Sequence, residues 1–360
     1  MTRRASAVEA EREIVRRCHS GLDVGPLQRQ VLQWLRRLMP VDAAFFATAD
    51  PETLLFTGAY AEEPLDVVTP LFLANEFAHG DVNKFASLAV SAQHVATLDG
   101  ASRGDRHSSP RSRDIMQPLG LGDELRAALM VGSDCWGYLC LHRDDRPLGF
   151  TSSEVATVAR LSPHIAHGLR QATLLHIGTA AGDTASPGVV LLAEDLGLVA
   201  ITAEAEHLIS LIEAAGSTSR PLPLAVYTVA VALQDVRRET STSHMLPSTR
   251  VPTRDGRWIN VHASHLRGTH GEDQIAVVLE PIEASATVPL VLSAYGLSAR
   301  EVEVAKMVLR GESTHAIVNG LHISSHTVQD HLKAVFDKTG VHSRRDLVGM
   351  LLGQPTRTAF

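Results

Sequence analysis

Apolar residues recur at helical spacing over 26–39. Leu27, Val31, Leu32, Leu35 and Leu38 fall on one face, which predicts an amphipathic helix with Pro26 near its first turn. The pattern then shortens to that of strands at Ala43 to Ala47 and Leu54 to Tyr60. Further on, Leu125 to Val131 and Trp136 to His142 flank Gly132-Ser-Asp-Cys135, the form of a hairpin with a short polar loop. Helical spacing returns from Ser153 to Leu175, with Val155, Val158, Leu161, Ile165 and Leu169 aligned and Ser152 or Ser153 as N-cap.

Two seams interrupt these patterns. Gly178 to Gly188 consists of small and turn-forming residues without apolar periodicity and reads as a linker. From Pro281 to Pro289 a strand-like run gives way to small residues. The chain therefore divides into units at 1–177, 187–284 and 290–356. The middle unit opens with a hairpin (Val189 to Ala193, Leu198 to Ile201). Helices follow at Glu204 to Ala215 and Leu224 to Arg237, and three further strands complete it, Arg250 to Arg254, Trp258 to Leu266 and Ile275 to Glu280. Asp255-Gly256 between the first two of these is a strong hairpin signal, because Gly accepts the positive φ that the turn requires.

The third unit is the most informative. Ser298 with Glu301 forms a capping box ahead of a helix whose stripe is Val304, Met307 and Val308, and Gly311 closes it. A short helix from Ser313 to Gly320 buries Ile317. A tight turn through Leu321 to Ile323 leads to Ser324, the N-cap of a longer helix that ends near Lys338 and Gly340. A last helix starts after Ser343 and carries Leu347, Val348, Leu351 and Leu352. Two helices joined by so tight a turn, the second longer and capped, have helix-turn-helix geometry, in which the second helix reaches base edges in the major groove. Val328, Leu332 and Val335 would face the core, leaving Thr327, Gln329, Asp330 and Lys333 as readers. A plain four-helix interaction bundle is the alternative use of the same caps and stripes.

The run from 297 to 352 resembles the LuxR-type (GerE-like) DNA-binding domain of bacterial transcription regulators. The likeness rests on Leu297-Ser-Ala-Arg-Glu301, Gly311, Ile317, Ile323-Ser324, Thr327-Val328, His331-Leu332, Lys338, Gly340-Val341, Ser343-Arg344 and Leu347-Val348. It implies four helices, a third helix that reads double-stranded DNA, and binding as a homodimer. It adds Thr314, His315, Ser325, His326 and Arg344 to the DNA-facing set. His315-Ala316 stands where the family has a Lys-Glu pair. Between Gly296 and Gly353 seven Lys or Arg face six Asp or Glu, a net of +1, so one copy should hold DNA weakly.

Composition narrows the rest. At 360 residues, 44% hydrophobic and 20% charged, the chain suits an α+β multidomain protein and not a disordered one. A net charge of −7 rules out a uniformly basic DNA coat but allows a small DNA-binding module on an acidic carrier. Three cysteines give no disulfide framework. Met1 to Arg17 lacks the apolar core of a signal peptide, and the longest apolar run, Leu222 to Leu233, falls short of a membrane span of ~20 residues, so the expected location is cytoplasmic, with no membrane partner. No nucleophile elbow, phosphate loop or kinase signature is present, so no enzyme and no catalytic residue is expected.

The first unit resembles a GAF domain in its order of helix, two strands, irregular middle, hairpin and closing helix. Its Leu125-Arg-Ala-Ala128 and Cys135-Trp-Gly-Tyr-Leu139 strands carry that likeness. The second resembles a PAS domain through its opening hairpin, the helix after Thr202 and the hairpin at Arg254-Asp-Gly-Arg-Trp258. These resemblances imply sensory modules with an apolar cavity between sheet and helices. Candidate lining residues are Phe72, Phe77, His79, Phe85 and Trp136, although aromatics at such positions more often simply complete a core. No cofactor or effector is named by the sequence. The 18 histidines show no paired ligand spacing, so no metal site is expected. Strand alternation places Cys135 and Cys140 on opposite faces. The function expected is a sequence-specific transcription regulator controlled through its N-terminal sensory region. The alternative is a ligand-sensing or partner-binding adaptor with a degenerate helix-turn-helix.

Overall fold

The computed structural model describes residues 2–146, 148–175, 186–212, 221–238, 247–267 and 273–352. It opens with helices α1 (Thr2–Cys18) and α2 (Val24–Leu38). Strands β1 (Ala43–Ala49) and β2 (Phe56–Ala61) follow, then α3 (Thr69–Leu73), a π-turn at Ala74–Ala78 and α4 (Phe85–Val90). Next come β3 (Val95–Thr97), α5 (Leu98–Ser102), the long hairpin β4 (Leu121–Val131) and β5 (Asp134–Asp144), and helix α6 (Ser152–Leu175). The strands form one antiparallel sheet in the order β2-β1-β5-β4-β3. Because side chains alternate across the strands, the sheet feeds two cores. Ala44, Phe46, Leu125, Leu139 and Leu141 meet α1, α2 and α6, while Ala43, Phe45, Ala128, Tyr138 and Cys140 meet the short helices of the middle segment. Helix α1 was not anticipated. Among its described side chains the buried ones are the narrow stripe Ala10, Ile14 and Cys18.

One residue shifts the expected faces of β5. Leu129 pairs with Gly137 and Met130 with Cys135, so Trp136 is an extra residue in the strand. The bulge turns Trp136 toward the helix layer and Cys135 toward the core that holds Cys140. The expectation that the two cysteines lie on opposite faces is thereby corrected: both face the same core, as free thiols. Gly137 sits at this point because a Cβ there would collide with the backbone of Ala47 and with Leu169.

The second unit contains β6 (Gly188–Leu192), β7 (Leu198–Ile201), α7 (Ala203–Leu211), α8 (Leu224–Arg238), β8 (Ser248–Pro252), β9 (Trp258–Arg267) and β10 (Asp273–Pro281). Its antiparallel sheet has the order β7-β6-β10-β9-β8, the pattern of the first sheet repeated. Gly256 takes φ +81° in the turn between β8 and β9. The linker expected at Gly178 to Gly188 lies, as far as residue 185, outside the described residues.

Helix α8 packs against β2 and the π-turn of the first unit on one side and against β9 on the other. Val226, Val229, Ala230 and Val231 are fully buried there, which accounts for an apolar run too short to span a bilayer. Among the described residues no helix is long and apolar enough to cross a membrane.

Within the seam expected at Pro281 to Pro289 the chain forms helix α9 (Ala284–Ala294), which contains Pro289. Burial of Val288, Leu290, Val291 and Leu292 against α6 and the following helices outweighs the local penalty of the proline. Helices α10 (Ala299–Leu309), α11 (Thr314–Leu321), α12 (Ser325–Thr339) and α13 (Arg344–Leu351) complete the chain around a separate core that includes Val304, Ile317, Val328, Leu332, Val335 and Leu347.

Candidate nucleic-acid interface

Local chemistry sets the start of every helix in this last unit and the ends of α11 and α12. Ser298 and Glu301 make the full capping box, and Ser313, Ser324 and Ser343 each accept a backbone N–H at the start of α11, α12 and α13. The turn between α11 and α12 is closed by His322 at φ +54°, and α12 stops at Gly340, φ +72°. Three long side chains then lock the helices together. Arg300 Nη2 donates to the carbonyl of Leu321 at 2.7 Å, which joins α10 to the end of α11. Lys338 Nζ reaches Glu301 Oε2 at 2.7 Å and the Gly296 carbonyl at 3.2 Å, fastening α12 to the start of α10. Arg344 donates to the Glu312 carbonyl and to Thr314 Oγ1, both at 2.9 Å.

Against this frame α12 has two distinct faces. Val328, Leu332 and Val335 are buried, while Ser325, His326, Gln329, Asp330 and Lys333 are exposed. Thr327 is half-buried, and its hydroxyl lies 2.9 Å from Ser324 Oγ within the cap. His326 Nε2 lies 3.8 Å from Asp330 Oδ2, one turn along. On α11, His315 is exposed with Asn319 3.2 Å from its ring. Thr314 and Arg344 are half-buried and hold one another, so Arg344 can offer DNA only what this bond leaves. The sequence-derived readers therefore share one open end of α12, with His315 presented from α11 and Arg344 serving first as a clamp.

The candidate ligand-lining residues separate. Phe72, Phe77 and Phe85 join Phe45, Phe56 and Tyr138 in a cluster of tilted and edge-on rings on the short-helix side of the sheet. His79 is exposed, and the bulge has carried Trp136 to the opposite face.

Beside the aromatic cluster lies a buried charged network that pattern reading missed. Arg111 donates to Glu124 Oε2 through Nε at 3.0 Å and Nη2 at 2.7 Å, and to Asn75 at 3.0 Å. Arg126 Nη1 donates to Glu76 at 2.6 Å, its Nε lies 3.0 Å from Glu124 Oε1, and its guanidinium covers the Phe85 ring at 4.4 Å. Burial would raise the Glu124 carboxyl, but Arg111 and Arg126 outweigh it and hold that group well below the usual carboxylate range. Burial lowers His142 to about 4, and burial pushes the Cys140 thiol well up. Glu124, Cys140 and His142 offer ligand atoms within 4.8 Å of one another. With its carboxylate already held by two guanidinium groups, the cluster is built as an ion-paired core. The sequence signal for it was the run of charges at Asp123, Glu124 and Arg126 in a strand that is apolar beyond them.

Residues 296–351 match the luxR family of bacterial regulatory proteins, and residues 23–169 match the GAF domain. The chain carries a luxR-family domain behind a GAF domain. No curated protein matches it. Among solved structures, a GAF domain of a phosphoenolpyruvate-protein phosphotransferase from Coxiella burnetii is 14% identical, covering 49% of this chain and 98% of that one at a TM-score of 0.34. The VqmA–ligand–DNA complex of Vibrio cholerae is 21% identical, over 46% of this chain and 81% of that one, TM-score 0.24. Escherichia coli SdiA is 11% identical, over 96% and 98%, TM-score 0.32.

Proposed function

We propose that this chain is a sequence-specific DNA-binding transcription regulator, cytoplasmic and without catalytic activity, whose hold on DNA is set by a small molecule or partner acting on the units ahead of the luxR-family domain. The observation that carries the reading is the open end of α12. Ser325, His326, Gln329, Asp330 and Lys333 are exposed there on a helix whose other face is sealed into a capped and clamped core. Amide, acidic and basic side chains at the exposed start of a second helix are the groups that read base edges and phosphates.

The units we assign are a GAF domain at 1–177, a PAS-like domain at 187–284 and the DNA-binding domain at 290–356, with α9 as its lead-in. The repeated strand order of the second sheet supports the PAS-like assignment. Two copies acting together on double-stranded DNA would supply the affinity that a net charge of +1 withholds from one. The seams available for this are α13, which packs on α9 and α10, and the exposed remainder of α6.

Titration against the DNA upstream of the chain's own reading frame, at several salt concentrations, tests the reading. Preference over random DNA with a steep salt slope supports it. Equal binding to both at low salt would overturn it in favour of an adaptor.

A further inference from the structure

A cavity of about 40 Å³ lies where the three parts of the chain meet. Trp136 and Thr48 come to it from the GAF sheet, Trp258 and Arg250 from the second sheet, Thr173 from α6 and Leu290 from α9. Trp136 and Trp258 are 3% and 7% exposed, and among the described residues neither indole N–H has an acceptor. A buried donor left unpaired is costly, so a pair of them lining one cavity calls for an occupant that accepts.

The other polar side chains on the wall each already hold a partner. The Thr48 and Thr57 hydroxyls bond each other at 2.5 Å, and Thr173 donates to the Leu169 carbonyl at 3.1 Å. Arg250 is held by Asp50 and by Glu52, so its charge is more than neutralised and an anion gains nothing from it. Val24, Pro51, Pro252 and Leu290 supply an apolar remainder. Water is the competing occupant, since it too can accept from an indole N–H. The volume, at roughly 10–15 Å³ for each water-sized group, admits about three or four non-hydrogen atoms.

We propose that this junction binds a small neutral carbonyl compound, whose oxygen accepts from Trp136 and Trp258. The site is on the helix face of the sheet, away from the Phe72–Phe77–Phe85 cluster. Its occupant would touch Leu290 on α9, the helix that leads into the DNA-binding domain and whose Ser293 hydroxyl bonds the Asp134 carboxylate at the tip of the β4–β5 hairpin. The proposal deepens the reading of a ligand-controlled regulator, but binding here is measurable without DNA, so the two can fail separately.

The test uses the full chain labelled with 5-fluorotryptophan. It has three tryptophans, and Trp34 on α2, under the Arg37 guanidinium, serves as an internal spectator. Acetone and acetate, nearly equal in shape and different in charge, are titrated separately while fluorine spectra are recorded. Saturable shifts of the Trp136 and Trp258 resonances with acetone, at least tenfold weaker with acetate and absent at Trp34, support the site. Thr173→Met, which fills the cavity from α6, should remove both shifts. Three resonances that drift together without saturation, or acetate equal to acetone, would overturn the proposal and leave the cavity to water.

Discussion

Arg250 lays its guanidinium side-on against Asp50, with Nε to Oδ2 at 2.7 Å and Nη2 to Oδ1 at 2.6 Å, and its backbone N–H adds a third bond at 3.1 Å. Asp50 is 2% exposed at the end of β1, and Arg250 belongs to β8, so this pair fastens the GAF unit to the unit behind it. Bidentate geometry and burial place it among the ion pairs whose loss matters. Asp50→Asn should lower stability by about 3–5 kcal/mol, because it leaves Arg250 buried beside Glu52 alone. Urea unfolding followed by tryptophan fluorescence checks this. A midpoint unchanged from wild type would show that the two units are held by apolar contact only.

The buried His142 gives the chain an acid-sensitive core. Its folded value, about 4, lies below the free value of 6.5. Stability from this group is therefore complete above pH 6.5 and is lost as pH falls from 6.5 toward 4, by up to about 3 kcal/mol. Glu124 is also depressed, but its contribution disappears only below the ordinary carboxylate range, at more acid pH. Replacing His142 with Gln should flatten the stability curve between pH 6.5 and 4.5 and leave the steeper acid limb in place. Equal slopes in wild type and variant would contradict the assignment.

Local signals made the DNA-binding unit legible almost to the residue. Ser298 with Glu301, then Ser313, Ser324, Gly340 and Ser343, are caps whose chemistry acts within four positions and needs no knowledge of the fold. Elements that depend on distant packing were not legible. Among the described side chains of α1, Ala10, Ile14 and Cys18 are the buried ones amid many charges, and α9 exists in spite of Pro289 because its apolar residues find α6 and α13. The face of Trp136 and the shared face of Cys135 and Cys140 were misassigned for a single reason. Strict alternation was carried through a strand in which one bulge reverses the order. The same bulge delivers Trp136 to the junction with Trp258, which no period in the sequence announces.

On α12, Gln329 and Lys333 are exposed one turn apart, with Asp330 beside them. Gln can pair with adenine N6 and N7. Gln329→Ala should cost about 1–3 kcal/mol on the preferred site and relax preference at one base pair, as measured by competition among single-base variants of the site. A uniform loss on all sequences would make it a backbone contact instead.

Lys333 most simply grips phosphate. Lys333→Ala should weaken every sequence alike and reduce the salt slope by about one unit per copy. An altered base preference with an unchanged slope would be evidence for a direct base contact.

Asp330 lies 3.8 Å from His326 and stands exposed among the readers. Asp330→Asn removes a negative charge from the face turned to phosphate, and non-specific affinity at low salt should rise. If affinity for every sequence stays the same, Asp330 serves its contact with His326 and does not face DNA.

The central claim is sequence-specific DNA binding, and selection from a randomised duplex library by the full chain tests it most directly. The expected outcome is enrichment of a two-fold symmetric site with half-sites about one helical turn apart, held at least about 10³-fold more tightly than the starting pool at physiological salt. A pool that stays random after repeated rounds, with equal affinity before and after, would contradict it.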